Sequence, residues 1–138
     1  MNCPRQSVRE LRTMPSNIFV RTGTAIIEIS RIQKACRNKH FLSNYFSADE
    51  IRFIVKHKMS PAIIAENYCV KIALAKAIGT GMRVIRANEV SVLRDRLGSP
   101  LVITDGYAKM LEQREGFVFN VSVAHCKGYA TASVIVNK

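Results

Sequence analysis

Tryptophan is absent from this 138-residue chain, acids are scarce, and no apolar run is long enough to cross a bilayer. A membrane-spanning helix needs about 20 consecutive apolar residues, so no membrane partner is expected. Cys3, Cys36, Cys69 and Cys126 are widely separated, with no Cys-x-x-Cys pair and no histidine placed to complete a zinc site. Reduced structural thiols are expected, and no metal cluster. His125-Cys126 is the one pairing that could activate a thiol, since an imidazole beside a thiol lowers its pKa. Ten Asp and Glu stand against 21 Lys and Arg, a formal charge of +11. Charge of this size steers acidic partners toward a surface: an acidic protein, a phosphorylated cofactor or nucleic acid. Nucleic acid is the least favoured, because the aromatics do not interleave with the basic residues as a stacking platform requires.

With 48% hydrophobic residues the chain has material for one real core. Residues 1 to 16 carry Arg5, Arg9, Glu10 and Arg12 and no apolar centre of a signal peptide. They read as a flexible extension, residues 17 to 138 as one domain, and the protein as cytoplasmic. Ile18-Phe19-Val20 begins a strand, and Ile29, Ile32 and Cys36 mark a helix around residues 29 to 38, with Arg31, Lys34, Arg37 and Lys39 on its basic side. Ser47 and Glu50 have capping-box spacing and open a helix to about Lys56. Ser60-Pro61 starts a long helix that Gly79 ends. Glu89 to Leu93 and Pro100 to Thr104 read as strands, followed by a short helix from Asp105 to about Gln113. Phe117, Phe119, Val121 and Val123 alternate with Val118, Asn120, Ser122 and Ala124, and Tyr129 to Val136 returns as the hairpin partner. This order predicts an α+β domain, an antiparallel sheet packed with a long helix.

Five segments carry more specific information. They are Gly23-Thr24-Ala25 through Ile32, Phe46-Ser47-Ala48-Asp49-Glu50-Ile51, Lys71 through Gly81, Leu97-Gly98-Ser99-Pro100, and Ser122-Val123-Ala124-His125 followed by Tyr129-Ala130. In order and spacing they resemble the holo-acyl carrier protein synthases of the 4'-phosphopantetheinyl transferase superfamily. The resemblance implies that superfamily's fold and a trimer, either of identical chains or mixed with an active paralogue. It also implies coenzyme A as cofactor and acyl carrier protein as partner, in fatty acid or polyketide biosynthesis. Lys71, Lys76 and His125 match retained catalytic positions. Lys71, Lys76, Gly79, Thr80 and Gly81 match positions near the cofactor phosphates, and Arg31, with Lys34 and Arg37 beside it, matches the face that meets the carrier protein's acidic helix. Without the resemblance, Lys71 and Lys76 read first as solvent-facing charges on an amphipathic segment, and His125 as a surface residue beside a turn; with it, the two readings of the lysines stand level.

The chain departs from the pattern where the family holds magnesium. The resemblance places an Asp at Ala25 and a Glu at Ile72, and this sequence has neither. Magnesium takes oxygen ligands in near-octahedral geometry, and alkyl side chains offer none. Glu66 lies about 120° around an ideal helix from Ile72 and does not substitute; Glu28 adds nothing new. Asn67-Tyr68 replaces an Arg-Phe pair, and Ser99 replaces a common lysine. The sequence therefore predicts a carrier-protein-binding and coenzyme A-binding relative whose ordinary magnesium-dependent transfer is lost or altered. The alternatives are a weakened genuine transferase and a basic nucleic-acid-binding protein.

Overall fold

A computed structural model describes residues 19–138, so the extension expected over residues 1 to 16 lies outside the described residues. The elements follow in order as β1 (Val20–Glu28), α1 (Ile29–Ala35), α2 (Phe41–Tyr45), α3 (Ala48–Lys56) and α4 (Pro61–Ile78). Single-turn 3-10 helices at Gly81–Arg83 and Ala87–Glu89 come next, then β2 (Val90–Arg94), β3 (Pro100–Thr104), α5 (Gly106–Glu115), β4 (Val118–His125) and β5 (Tyr129–Asn137). The expected α+β architecture is present, and it matches solved structures described below. The strands form two antiparallel sheets, β1-β5-β4 and β2-β3. The first strand runs to Glu28, well past the apolar start visible in sequence. The helix expected over residues 29 to 38 ends at Ala35, and α2 was not expected at all. That short helix has no side-chain cap; Phe41 and Tyr45 instead pack on Tyr68, with ring centroids 6.1 and 5.8 Å away.

Local chemistry sets the helix boundaries. The Ser47 hydroxyl accepts from the Glu50 amide, and Glu50 Oε1 accepts from the Ser47 amide at 3.0 Å, the capping box read in the sequence. At the start of α4 the Ser60 hydroxyl accepts from Ile63 N, Pro61 occupies the first turn, and Gly79 closes the helix at φ +84°. That left-handed backbone is open to glycine without a β-carbon clash.

Helix α4 is buried on nearly every side. Cys69, Val70, Ala73, Leu74 and Ala77 join Val134 and Val136 of β5 and Val90 and Val92 of β2 in one core cluster. A second cluster gathers Ile29, Ile32, Phe46, Ile54 and Ile64 around the other end of α4. The helix can lie this close to β1 because of Gly23. A β-carbon there would stand 2.0 Å from the Ala73 carbonyl oxygen and 2.8 Å from the Ala77 amide. Gly23→Ala must push two backbones apart, and overpacking of this kind costs about 3 kcal/mol. Urea denaturation checks this, and an unchanged midpoint would show that β1 and α4 can separate freely.

The opposite face of the β1-β5-β4 sheet carries Val20, Ile26, Val118, Tyr129 and Ile135, all exposed. The register breaks them into two groups, since the row Thr24, Ser133 and Ser122 separates Val20, Val118 and Ile135 from Ile26 and Tyr129.

Candidate functional site

Among the described residues strand β1 pairs with β5 alone, and its other edge carries no strand. Against that edge lies a cleft of about 530 Å³ lined by Thr24, Ala25, Ile26, Ile72, Lys76 and Thr131. Register explains the arrangement: Ala25 stands opposite Ala132, and its side chain packs on the core side of the sheet, where α4 passes. Ile72 and Lys76 are one turn apart on that helix and share a face. Lys76 is exposed, and its Nζ donates to the Thr24 carbonyl at 3.1 Å. Three positions far apart in sequence, Ala25, Ile72 and Lys76, thus meet in one cleft with a cation at its wall.

The donor set does not fit magnesium. A methyl and a sec-butyl group occupy the two positions where the resemblance expects carboxylates, and the charged side chain in the lining is an ammonium. Among the described residues no group of three His, Cys, Asp or Glu side chains is placed to hold a metal ion.

Lys71 corrects the sequence reading in both its forms. It neither faces solvent nor reaches the cleft; it is 2% exposed. Its Nζ donates to Glu50 Oε1 at 2.6 Å, to the Ala87 carbonyl at 2.8 Å and to the Val90 carbonyl, with the Phe46 ring 5.2 Å away. An ammonium has three hydrogens, and all are used. Burial pushes Lys71 down and Glu50 up, each opposed by the other's charge. Asn67 joins this interior network, donating to Glu50 Oε2 at 3.3 Å and to the Val92 carbonyl at 2.9 Å. The pair therefore fastens α3 and α4 to the segment leading into β2.

Gly79, Thr80 and Gly81 do not line the cleft. They follow α4 past its cap, where the Thr80 hydroxyl donates to the Gly81 carbonyl and the Arg21 guanidinium passes beside Gly79. Arg31 and Lys34 are exposed on α1 and Arg37 in the turn after it, so the three form one open basic surface.

His125, the last residue of β4, lies at the far edge of the sheet from the cleft. Its Nδ1 is 3.1 Å from Glu66 Oε2. In the sequence Glu66 stands only as a poor substitute for a metal ligand, and nothing there marks Glu50 as the partner of Lys71 or Arg94 as the partner of Glu66. No signal could have revealed them, since each contact spans a sequence distance that only the fold closes. The thiols behave as expected for Cys69, whose burial pushes it up to about 11. Cys126 is exposed, and the Gly128 and Tyr129 amides hold its thiol below the ordinary range.

A family model, the 4'-phosphopantetheinyl transferase superfamily, matches residues 21–133. The chain belongs to this superfamily. It is 36% identical over 121 residues to the holo-[acyl-carrier-protein] synthase of Clostridium perfringens (strain SM101 / Type A), covering 83% of this chain and 91% of that protein. With the enzyme of the same name from Lachnoclostridium phytofermentans it shares 38% identity over 114 residues, 82% and 91% of the two chains. Among solved structures it resembles the holo-(acyl-carrier-protein) synthase from Bacillus anthracis str. Ames in complex with CoA (3',5'-ADP). The TM-score is 0.72 at 26% identity, over 88% of this chain and 98% of that one. The Neisseria meningitidis holo-[acyl-carrier-protein] synthase superposes with TM-score 0.78 at 22% identity, over 86% and 98% of the chains, and shares the fold. The superfamily fold is thus complete around a cleft in which both expected carboxylate positions are alkyl.

Proposed function

We propose that this superfamily member binds acyl carrier protein and coenzyme A but does not run ordinary magnesium-dependent phosphopantetheine transfer. One observation carries the reading: Ala25 and Ile72 meet beside Lys76 in a cleft with no carboxylate in its lining. A metal on a transferring phosphoryl group offsets charge that develops as the bond breaks. Loss of one such stabiliser typically costs about a hundred- to a thousandfold in rate, and here both protein ligands are missing. The cleft keeps a cation, so an anionic cofactor still finds a partner there. Calorimetric titration with coenzyme A is expected to give the same affinity in magnesium and in EDTA. Affinity that collapses in EDTA would contradict the reading.

The carrier protein's docking surface in this reading is Arg31, Lys34 and Arg37. Arg31→Glu reverses one charge in an exposed, salt-screened contact and is expected to slow association about tenfold at low ionic strength. Stopped-flow measurement with apo-carrier protein checks it, and an unchanged rate would move the docking face elsewhere. Lys76 on α4 reaches the β1 edge of the sheet and His125 ends β4 at its other edge, so in this reading a site using both takes them from two copies. Together with the exposed Val20, Val118 and Ile135 on the outer face of that sheet, this favours a trimer of this chain, or one mixed with an active paralogue. A cytoplasmic location accords with this substrate pair.

The second reading, a weakened genuine transferase, is favoured by the synthase names of the relatives at 36% and 38% identity. Product that rises with magnesium would replace the first reading by the second.

A further inference from the structure

Strands β3 and β4 come together where the two sheets meet. Among the described residues β3 pairs with β2 alone and β4 with β5 alone, so no ladder joins them. Two adjoining cavities of about 490 and 340 Å³ open at this seam and share Val102, Glu112 and Phe117 in their walls. Ile103 in the larger and Leu101 in the smaller are 53% and 45% exposed. The seam is thus a groove with an apolar floor and an acid at its middle. Arg114 and Lys138 pair with Glu115, whereas Glu112 accepts from the Thr104 hydroxyl and no described cation pairs with it.

The described chain begins at this groove. Phe19 stacks on Phe117, ring centroids 5.8 Å apart, and Lys138 Nζ stands over both rings at 4.7 and 5.7 Å. Residues 1–18 therefore join the fold beside Phe117, and they lie before the segment that the superfamily model matches. Between Pro4 and Pro15 their sequence is two-sided. Val8, Leu11 and Met14 recur at every third position, and Arg5, Arg9 and Arg12 at every third or fourth. At about 100° per residue the two sets fall on separate sides of a helix. A helix shorter than about 12 residues is marginal alone in water, so its apolar side needs a surface to bury against. Met14 lies five positions before Phe19, a reach of up to about 17 Å that crosses a strand as short as β3.

We propose that residues 5–14 of this chain dock as an amphipathic helix in the groove between β3, α5 and β4. Leu11 and Met14 lie on Val102, Ile103 and Phe117, and Arg12, at the border of the two sides, pairs with Glu112. An amphipathic helix laid in an apolar groove is held by such anchors, three or four residues apart. The docked segment covers a strand edge that otherwise invites pairing with another chain, and it leaves Arg5 and Arg9 facing outward. None of the groove residues lines the cleft at Ala25 and Ile72, so the inference stands apart from the function proposed for that cleft. A second copy of this chain is the competing occupant.

Photocrosslinking of the full chain identifies the occupant. Benzoylphenylalanine is placed at Gln113, an exposed residue in the wall of the larger cavity, and an equal mixture of nitrogen-14 and nitrogen-15 protein is irradiated, digested and read by mass spectrometry. The expected product joins position 113 to a peptide from residues 5–14 of the same chain, so both halves carry one isotope. The same probe at Arg52, whose side chain is 75% exposed on α3, is expected to capture far less of that peptide. Leu11→Asp together with Met14→Asp is expected to cut the crosslink at Gln113 about tenfold, the scale of one lost apolar anchor. Crosslinks of mixed isotope would seat a second copy in the groove. Equal capture at Arg52 would mean that residues 1–18 touch the surface at large. No capture at Gln113, or capture unmoved by the two aspartates, would leave the groove without this occupant. Each of these three results overturns the proposal.

Discussion

Lys71→Met is expected to lose about 3–5 kcal/mol of stability, the usual cost of removing one partner from a buried ion pair. The methionine fills a similar volume but leaves the Glu50 carboxylate, 0% exposed, without its cation. It also strips a donor from the Ala87 and Val90 carbonyls. A domain of this size is stable by only about 5–15 kcal/mol, so the variant approaches unfolding. The exposed Lys76→Met should stay within about 0.5 kcal/mol of the natural protein while weakening coenzyme A binding. Adding Glu50→Gln to Lys71→Met should recover part of the loss, because the uncompensated charge disappears. Urea denaturation of the four proteins separates the roles. A Lys71→Met protein of normal stability that lacks only ligand binding would contradict the inward geometry.

The second large effect is a gain. Ala25→Asp combined with Ile72→Glu puts two carboxylates on the walls of one cleft, the donor type magnesium prefers. Magnesium should then raise the melting temperature of the double variant and leave that of the natural protein unchanged. A ligand at a hundred times its dissociation constant stabilises the folded state by about 2.7 kcal/mol, several degrees on a melting curve. Lys76 lines the same cleft and will pair with the new carboxylates, so the affinity should rise further when Lys76 is also replaced by Met. A natural protein that melts higher in magnesium would mean that oxygen ligands exist outside the Ala25 and Ile72 positions.

What could be read from the sequence was whatever local chemistry fixes. The Ser47 and Glu50 box, the Ser60-Pro61 start, the Gly79 stop and the alternation through Phe117 to Val123 each act within a few residues, and each stands where it was read. Helix α2 escaped because its stability comes from Tyr68, more than twenty residues away, and not from a cap. The long reach of β1 escaped because a strand whose Thr24 and Ile26 face outward and whose Ala25 and Gly23 lie under a helix has no simple apolar alternation. At the site, the loss of carboxylates at Ala25 and Ile72 was legible from the resemblance. Their meeting with Lys76 in one cleft needed the crossing of α4 over β1. The fate of Lys71 was hidden because a lysine in an apolar helix looks the same whether its ammonium meets water or Glu50. The Glu66–His125 contact spans 59 residues, and only the packing of α4 on β4 creates it.

The measurement closest to the central claim is the intact mass of apo-acyl carrier protein after incubation with this protein and coenzyme A, with magnesium and with EDTA. The Ala25→Asp plus Ile72→Glu variant runs in parallel. The account predicts that any phosphopantetheine-sized gain made by the natural protein accrues at the same rate in both media, and that magnesium accelerates only the variant. A gain by the natural protein that requires magnesium would contradict it.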